Sequence, residues 1–409
     1  MSSGKQMNPS SAFFLCSVLV LAIIILLLAV LWKRIKPLTF MSMWTGSPGG
    51  SRLPDYFRNN FRAFCHFDCN TLKKATGNFQ QKNQLGTGGF GPVFQGRLDD
   101  GRRIAVKQLC LGKSHQGECE FLAEVRMLTS IQHKNLVRLI GCCSEGCQRL
   151  LVYEFMKNGS LDNILYGDND IYLNWKTRFQ IILGIARGLQ YLHEDSNVRI
   201  VHRDIKASNI LLDDRFQPKI SDFGLARLFP EDETYLSAQF AGTLGYTAPE
   251  YAIKGELSEK ADIYSFGVLT LEIISCRKNT DLTLPPNMQY LPDYAWKLYE
   301  SSMLFSLADP RLKTDGAEEA DILQVFQIAL LCLQSYPNLR PSMSQVVAML
   351  TCKTKQIASP IKPAFLDRRR CINLDISLPF SRESACDFSP STISDTLSLP
   401  PRLSIISSS

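Results

Sequence analysis

Between Ile200 and Leu212 the sequence runs IVHRDIKASNILL. His202, Arg203, Asp204 and Lys206 fall within five residues, and Asn209 lies five beyond Asp204. Charged residues wedged between apolar IV and ILL are costly to present on a tight loop without a task. Ten residues after Leu212 stands Asp222-Phe223-Gly224, and Ala248-Pro249-Glu250 follows. Upstream, Gly86-Thr87-Gly88-Gly89-Phe90-Gly91-Pro92-Val93 places glycines first, third and sixth. That spacing is shared by dinucleotide-binding turns and by ordinary glycine hairpins. A dinucleotide fold would open a helix at the third glycine, whereas Pro92-Val93-Phe94-Gln95-Gly96 continues as strand. A glycine-rich hairpin can drape its amides over phosphates because no side chain blocks the approach. Lys107 follows Gly91 by sixteen residues. Alone it reads as a solvated strand-end lysine; as a phosphate ligand it needs a carboxylate to hold its ammonium, and Glu124 is well placed to supply one.

The elements that must position these groups are legible in outline. QLGTGGFGPVFQGRL and DDGRRIAVKQL predict two strands joined by a glycine turn and then a third, with Asp100-Gly101 as a hairpin signal. Phe121, Val125 and Leu128 predict an amphipathic helix over Glu118–Ile131. LVRLIGCC and RLLVYEF read as further strands. Trp175, Phe179, Ile182, Ala186 and Leu189 predict a helix lasting to about His193. Beyond Ala261, ADIYSFGVLTLEIIS, DYAWKLYES and ADILQVFQIALLCL are helical. Strands first and helices later predict an α+β molecule, a small sheet-rich lobe followed by a larger helical one.

GTGGFGPV, AVK, HRDIKASN, DFG and APE, in that order, resemble the motif set of the eukaryotic protein kinases. The resemblance runs from about Phe67 to Leu350 and implies the bilobal protein-kinase fold, an N-lobe of about 71–156 and a C-lobe of about 157–351. It implies phosphoryl transfer from ATP with Mg²⁺, or Mn²⁺ in its place, a reaction that asks mainly for positioning and charge neutralisation. By the same resemblance Asp222 and Asn209 would hold the metal ions and Asp204 would take the proton of the attacking hydroxyl. Lys206 would contact the γ-phosphate, while Lys107 held by Glu124 would reach the phosphates. Val93, Ala105, Leu211 and the backbone from Glu154 to Met156 would hold adenine, with Tyr153 as gatekeeper. Arg203 resembles the arginine that pairs with a phosphate on the activation segment, here 222–250. Thr234, Tyr235, Ser237, Thr243 and Thr247 are the hydroxyls on offer; Thr243 in GTLGY would shape the substrate site, so Thr234 or Ser237 is the preferred switch. Asp262 would brace the catalytic loop, and Arg340 would pair with Glu250.

Lysine two residues after Asp204 resembles the serine/threonine class. FDCNTLKKATGNF, NLVRLIGCC, LVYEFMKNGSLD, GTLGYTAPEYA and YSFGVLTLEI resemble plant receptor-like serine/threonine kinases, particularly those with cysteine-rich extracellular domains. Protein substrates with Ser or Thr, and a receptor or co-receptor partner at the membrane, are implied. The alternative is a catalytically weak kinase-like scaffold, which loss of Lys107, Asp204 or Asp222 would signal; all three are present.

Ala12 to Trp32 carries no charge, and Lys33, Arg34 and Lys36 follow. As a helix it spans roughly the 30 Å hydrocarbon core of a bilayer. A cleaved signal would carry its basic residues ahead of a shorter apolar run, and only Lys5 precedes this one. The expectation is a single-pass protein, at the plasma membrane by the resemblance, with a short extracytoplasmic 1–11, a transmembrane helix 12–32 and a basic juxtamembrane linker 33–70. A cytoplasmic kinase domain 71–351 and a Ser/Pro-rich disordered tail 352–409 complete it. Eleven residues outside build no ligand-binding core, so sensing would need a partner. Residues 33–62 carry six Lys/Arg against Asp55 alone, which favours anionic lipid, while 63–351 is net negative and excludes a nucleic-acid footprint. Thirteen cysteines without a repeating frame suit free thiols in a reducing compartment. Cys142, Cys143 and Cys147 lack the second ligand pair of a structural zinc site.

Overall fold

The computed structural model describes residues 65–361, apart from 89–90, 110–115, 147, 168–170, 231–234, 239–240, 315 and 353–357. The anchor expected at 12–32, most of the basic linker and nearly all of the tail lie outside the described residues. So do Gly89, Phe90 and Thr234. Among the described residues no helix is long and apolar enough to cross a membrane.

Six strands make one sheet: β1 (Cys65–His66), β2 (Gln84–Gly88), β3 (Gly91–Arg97), β4 (Arg103–Gln108), β5 (Leu139–Glu145) and β6 (Gln148–Glu154), in the order β1-β5-β6-β4-β3-β2. In β4 the residues Ile104 to Lys107 are all buried, as a central strand covered on both faces requires. The turn into β4 uses Gly101 at φ 85, with Leu98 N–H bonding Arg102 C=O at 2.9 Å. β1 runs parallel to β5, pairing Cys65 with Gly141. A Cβ on Gly141 would sit 2.0 Å from the Cys65 carbonyl oxygen, so only glycine admits this strand.

The stretch read as linker through residue 70 therefore begins to fold at Cys65. It continues into α1 (Cys69–Thr76), where Asp68 accepts from Thr71 N–H at 3.1 Å and Gly77 closes the helix at φ 62. Leu72 and Cys69 join Leu98, Ile104, Val106, Leu150 and Val152 in one apolar cluster. Two short elements gave too few repeats for a periodicity signal. α2 (Gln116–Ser130) buries Phe121, Val125 and Leu128 and carries Glu124 inward.

The helical part comprises α3 (Leu161–Tyr166), α4 (Trp175–Gln190), α5 (Pro249–Lys254), α6 (Glu259–Ser275), α7 (Leu291–Glu300), α8 (Pro310–Thr314), α9 (Glu319–Cys332) and α10 (Met343–Thr351). Asn174 caps α4 by accepting from Thr177 N–H at 2.9 Å. Ile182, Ala186 and Leu189 enter the core, whereas Trp175 and Phe179 stay half-buried, their rings 6.1 Å apart. Every residue of α6 from Ala261 to Ser275 is buried, so this helix is the axis of the body and needs no amphipathic stripe. α9 packs along it, and α10 packs on α4.

Candidate active site

Short ladders set the loops between the sheet and the body. Arg199–Val201 pairs with Arg227–Phe229, and Ile210–Leu212 pairs with Pro218–Ile220. These fix both ends of 202–209 and bring Asp222 back toward Asn209, whose carbonyl accepts from Ser221 N–H and Oγ at 2.9 Å each.

The loop 202–204 is strained and held. Arg203 has φ 73, a conformation costing a bulky residue about 1–3 kcal/mol. Asp262, fully buried in the first turn of α6, accepts from the backbone N–H of His202 at 2.7 Å and of Arg203 at 2.8 Å, and meets His193 Nε2 at 3.0 Å. Burial opposes its charge, and the hydrogen bond and charge of His193 with the His202 contacts outweigh it, holding the carboxyl below the ordinary range. Asp262 thus spans from the central helix to two successive peptide groups of the loop.

Asp204 lies at the focus. Its Oδ1 accepts from Thr243 Oγ1 at 2.7 Å, and its Oδ2 takes Lys206 Nζ and Asn209 Nδ2, each at 2.8 Å. Lys206 also donates to Thr243 Oγ1 at 2.9 Å. Burial would raise the Asp204 pKa, but the bonds from Lys206 and Thr243 outweigh it and hold it below the usual carboxylate value. Asp204 is therefore ionised and able to accept a proton at neutral pH. Asn209 spends its amide NH₂ on Asp204, and its oxygen remains for another group.

Asp222 adopts φ 64, ψ 73, and the ring of Phe223 behind it packs edge-on against His202 at 4.9 Å. Lys107 Nζ reaches Asp222 Oδ1 at 2.8 Å and Glu124 at 3.3 and 3.4 Å. Burial disfavours the ammonium, yet the two carboxylates more than offset it and its pKa stays above the ordinary lysine value. Tyr153 donates its hydroxyl to Glu124 Oε1 at 2.5 Å, and burial, then Glu124, keeps that phenol protonated. Glu124 is thereby held from two sides.

β2 and β3 close as a hairpin with Gly88 opposite Gly91. A Cβ on Gly88 would lie 3.9 Å from Asp222 Oδ2, which puts the hairpin backbone over this carboxylate; Gly91, at φ 142, needs the freedom of glycine. Gly86 and Thr87 lie on β2, Thr87 Oγ1 taking Gln84 Nε2 at 2.7 Å. Val93 pairs with Lys107 and Ala105 with Tyr153 across the sheet. Val93 and Leu211 stay half-buried, Met156 is buried, and the Glu154 side chain pairs with Lys219 at 3.0 Å. The fit to a nucleotide with a hard cation is chemical: an oxygen donor set at Asp222 and Asn209, a buried cation beside it and an open glycine backbone above.

Arg340 pairs bidentately with Glu250 at 2.7 and 2.8 Å, both buried. Arg203 donates to Leu225 C=O at 3.1 Å and through Nε and Nη2 to the Tyr251 hydroxyl, at 3.0 Å from Nε, and this oxygen also takes Ala241 N–H at 3.0 Å. Ser237 is exposed on a two-residue strand paired with Glu256–Leu257, and Thr247 donates to Thr243 C=O at 3.0 Å.

Three contributors escaped the motif reading: Tyr251, the phenol of Tyr153 as a partner of Glu124, and Glu272 on α6. Glu272 accepts from Tyr246 OH at 2.7 Å and from Asn279 N–H at 2.8 Å. A carboxylate inside the apolar run YSFGVLTLEIIS was the available signal, since an acid is seldom fully buried without partners.

A buried lysine braced by two carboxylates beneath a glycine hairpin, facing an ionised Asp–Lys–Thr cluster, is the apparatus of a phosphoryl-transfer enzyme of the protein-kinase class. The profile described as protein tyrosine and serine/threonine kinase matches residues 79–350, and the chain belongs to that family. Its relatives are plant receptor-like kinases. A probable LRR receptor-like serine/threonine-protein kinase of Arabidopsis thaliana is 53% identical over 285 residues, 70% of this chain and 27% of the relative. A second protein of that description shares 44% over 373 residues, 90% of this chain and 38% of the relative. Cysteine-rich receptor-like protein kinase 2 from the same plant is 47% identical over 310 residues, 74% of this chain and 48% of the relative. The chain thus spans between 27% and 48% of these relatives' lengths.

Proposed function

We propose that this chain is a membrane-anchored serine/threonine kinase that transfers the γ-phosphate of ATP to Ser/Thr hydroxyls of protein substrates in signal transduction. The observation that supports this best is Lys107 lying 2.8 Å from Asp222 and 3.3 Å from Glu124, an arrangement that needs both sides of the cleft assembled. Asp222 and the oxygen of Asn209 would hold Mg²⁺, or Mn²⁺, which when bound neutralises phosphate charge. Lys107 steadies the phosphates, and Val93, Ala105, Leu211 and the Glu154–Met156 backbone receive the adenine. Asp204 orients the attacking hydroxyl and accepts its proton. Lys206 neutralises charge on the phosphoryl group, and Thr243 holds Lys206 and Asp204 in register.

Phosphorylation of its own activation segment, at Thr234 or Ser237, belongs to the same reading. It would give Arg203 an anionic partner in place of the Tyr251 phenol. Residues 12–32 would confine the kinase to a membrane, with the basic segment beside anionic lipid and a receptor or co-receptor partner supplying the signal. The test is incorporation of labelled phosphate from ATP and Mg²⁺ into the purified chain and a generic Ser/Thr substrate. Wild type incorporates it and Asp204→Asn reduces incorporation to background. Folded wild-type protein that transfers no phosphate refutes the proposal.

A further inference from the structure

Two thiols and a carboxylate converge on the sheet outside the cleft. Cys69 opens α1 and is 6% exposed, and Cys143 on β5 is fully buried. Glu145 is two residues further along β5, hence on the same face as Cys143, and is exposed. One ligand atom from each, the two Sγ and a carboxylate oxygen, all lie within 4.8 Å of one another. Glu145 Oε2 accepts from the Cys69 N–H at 3.3 Å, which folds the carboxylate over the start of α1 and toward the sulfurs. Cys142, on the opposite face of β5, is no part of the group.

We propose that Cys69, Cys143 and Glu145 form a binding site for a thiophilic divalent cation, Zn²⁺, with its fourth position open to solvent beside Glu145. Both thiols are free in the structure. Tetrahedral zinc with bonds of about 2.3 Å keeps two sulfurs about 3.8 Å apart, so sulfurs lying within 4.8 Å need a side-chain adjustment of no more than about 1 Å. A disulfide would need the sulfurs drawn together to about 2.05 Å and would leave the second carboxylate oxygen of Glu145 out of the group. The donor set suits the ion, because the two thiolates are soft ligands that magnesium and calcium avoid, whereas zinc accepts sulfur and a carboxylate oxygen together. Binding is a balanced exchange: Zn²⁺ forms two Zn–S bonds, and the two thiol protons leave to solvent. Glu145 at the rim supplies the negative charge that draws the ion in. The bound ion clips the first turn of α1 to β5, two elements that otherwise meet through the Cys69 N–H to Glu145 hydrogen bond and apolar contacts in their shared cluster.

The experiment uses the full chain, stripped with chelator under a non-thiol reductant and titrated with Co²⁺, then Zn²⁺. One Co²⁺ per chain should produce a sulfur-to-cobalt charge-transfer band with tetrahedral visible absorption, displaced by Zn²⁺, and Zn²⁺ should raise the Tm. Glu145→Gln, an exposed change that leaves the fold intact, should weaken Co²⁺ binding about tenfold or more and cancel the Tm rise. Cys69→Ser should halve the charge-transfer intensity, while Cys332→Ser, a buried thiol on α9 outside the group, should change neither readout. No charge-transfer band in the folded wild type overturns the proposal, as does a band of equal strength and affinity in Cys69→Ser and Glu145→Gln.

Discussion

Glu272 offers the sharpest quantitative test of this structure. Its side chain is 1% exposed, on the central helix α6, and faces Tyr246 from the GTLGY loop, Tyr166 and Asp162 from α3, and the Asn279 N–H from the turn after α6. Burial pushes its pKa up from the ordinary value near 4.5 to about 7, against the partial relief of those hydrogen bonds. Below 4.5 the carboxyl is protonated in both folded and unfolded chains and costs nothing. As pH rises from 4.5 toward 7 the unfolded chain loses this proton first, so stability falls, and the full penalty is present above 7. At about 1.4 kcal/mol per pKa unit that penalty is roughly 3 kcal/mol, of which some 2 to 3 kcal/mol develops between pH 5 and 8. Glu272→Gln keeps one oxygen for the Asn279 N–H, turns an NH₂ toward the Tyr246 hydroxyl, whose oxygen can accept from it, and abolishes the titration. The stability of Glu272→Gln relative to wild type should therefore rise by about 2 to 3 kcal/mol from pH 5 to pH 8, measured by urea unfolding at fixed temperature. Taking the difference between the two proteins cancels every other titrating group. Parallel stability curves for the two proteins over that range would refute the assignment of a buried, titrating carboxyl at this position.

Thr243→Val removes the hydroxyl between Asp204 and Lys206 while keeping its shape. A hydrogen bond to a charged group contributes about 1.5–3 kcal/mol, so kcat should fall roughly 10- to 100-fold with the KM for ATP little changed, as steady-state kinetics will read. Arg340→Met strands the Glu250 carboxylate in the interior and also releases the carbonyls of Gln334 and Lys260. The expected loss is about 3–5 kcal/mol, a fall in Tm on the order of 10 °C by differential scanning fluorimetry. Glu250→Gln with Arg340→Met should recover part of it, because the second change removes the uncompensated charge.

The chemistry-bearing runs were legible because each is local. GTGGFGPV announces a hairpin by its glycines, and IVHRDIKASNILL announces a constrained polar loop by flanking it with apolar strands. Of the helices from α6 onward, α6, α7 and α9 were legible by apolar content and length, whereas the short α8 and α10 were not. β1 and α1 were not, since two residues of strand and eight of helix carry too little pattern, and their reason to fold lies across the sheet at Gly141 and in the Leu72 cluster. Trp175 and Phe179 show the limit of periodicity: it located the helix, but the depth to which each residue is buried depends on what packs there, and these two stay half-buried on a helix against which α10 lies.

The sequence by itself determined the resemblance to the protein kinases, because GTGGFGPV, AVK, HRDIKASN, DFG and APE stand in one order along the chain, although neither the glycines nor Lys107 would carry that reading alone. Only the tertiary structure decided which groups face one another: Tyr153 on Glu124, Tyr251 on Arg203, Glu272 on Tyr246, and Cys69 beside Cys143 and Glu145. These pairs are 29, 48, 26 and 74 or more positions apart. Their energies arise from shared burial and mutual distance, which depend on how the sheet and α6 bring separate segments together and leave no periodicity in the chain to read.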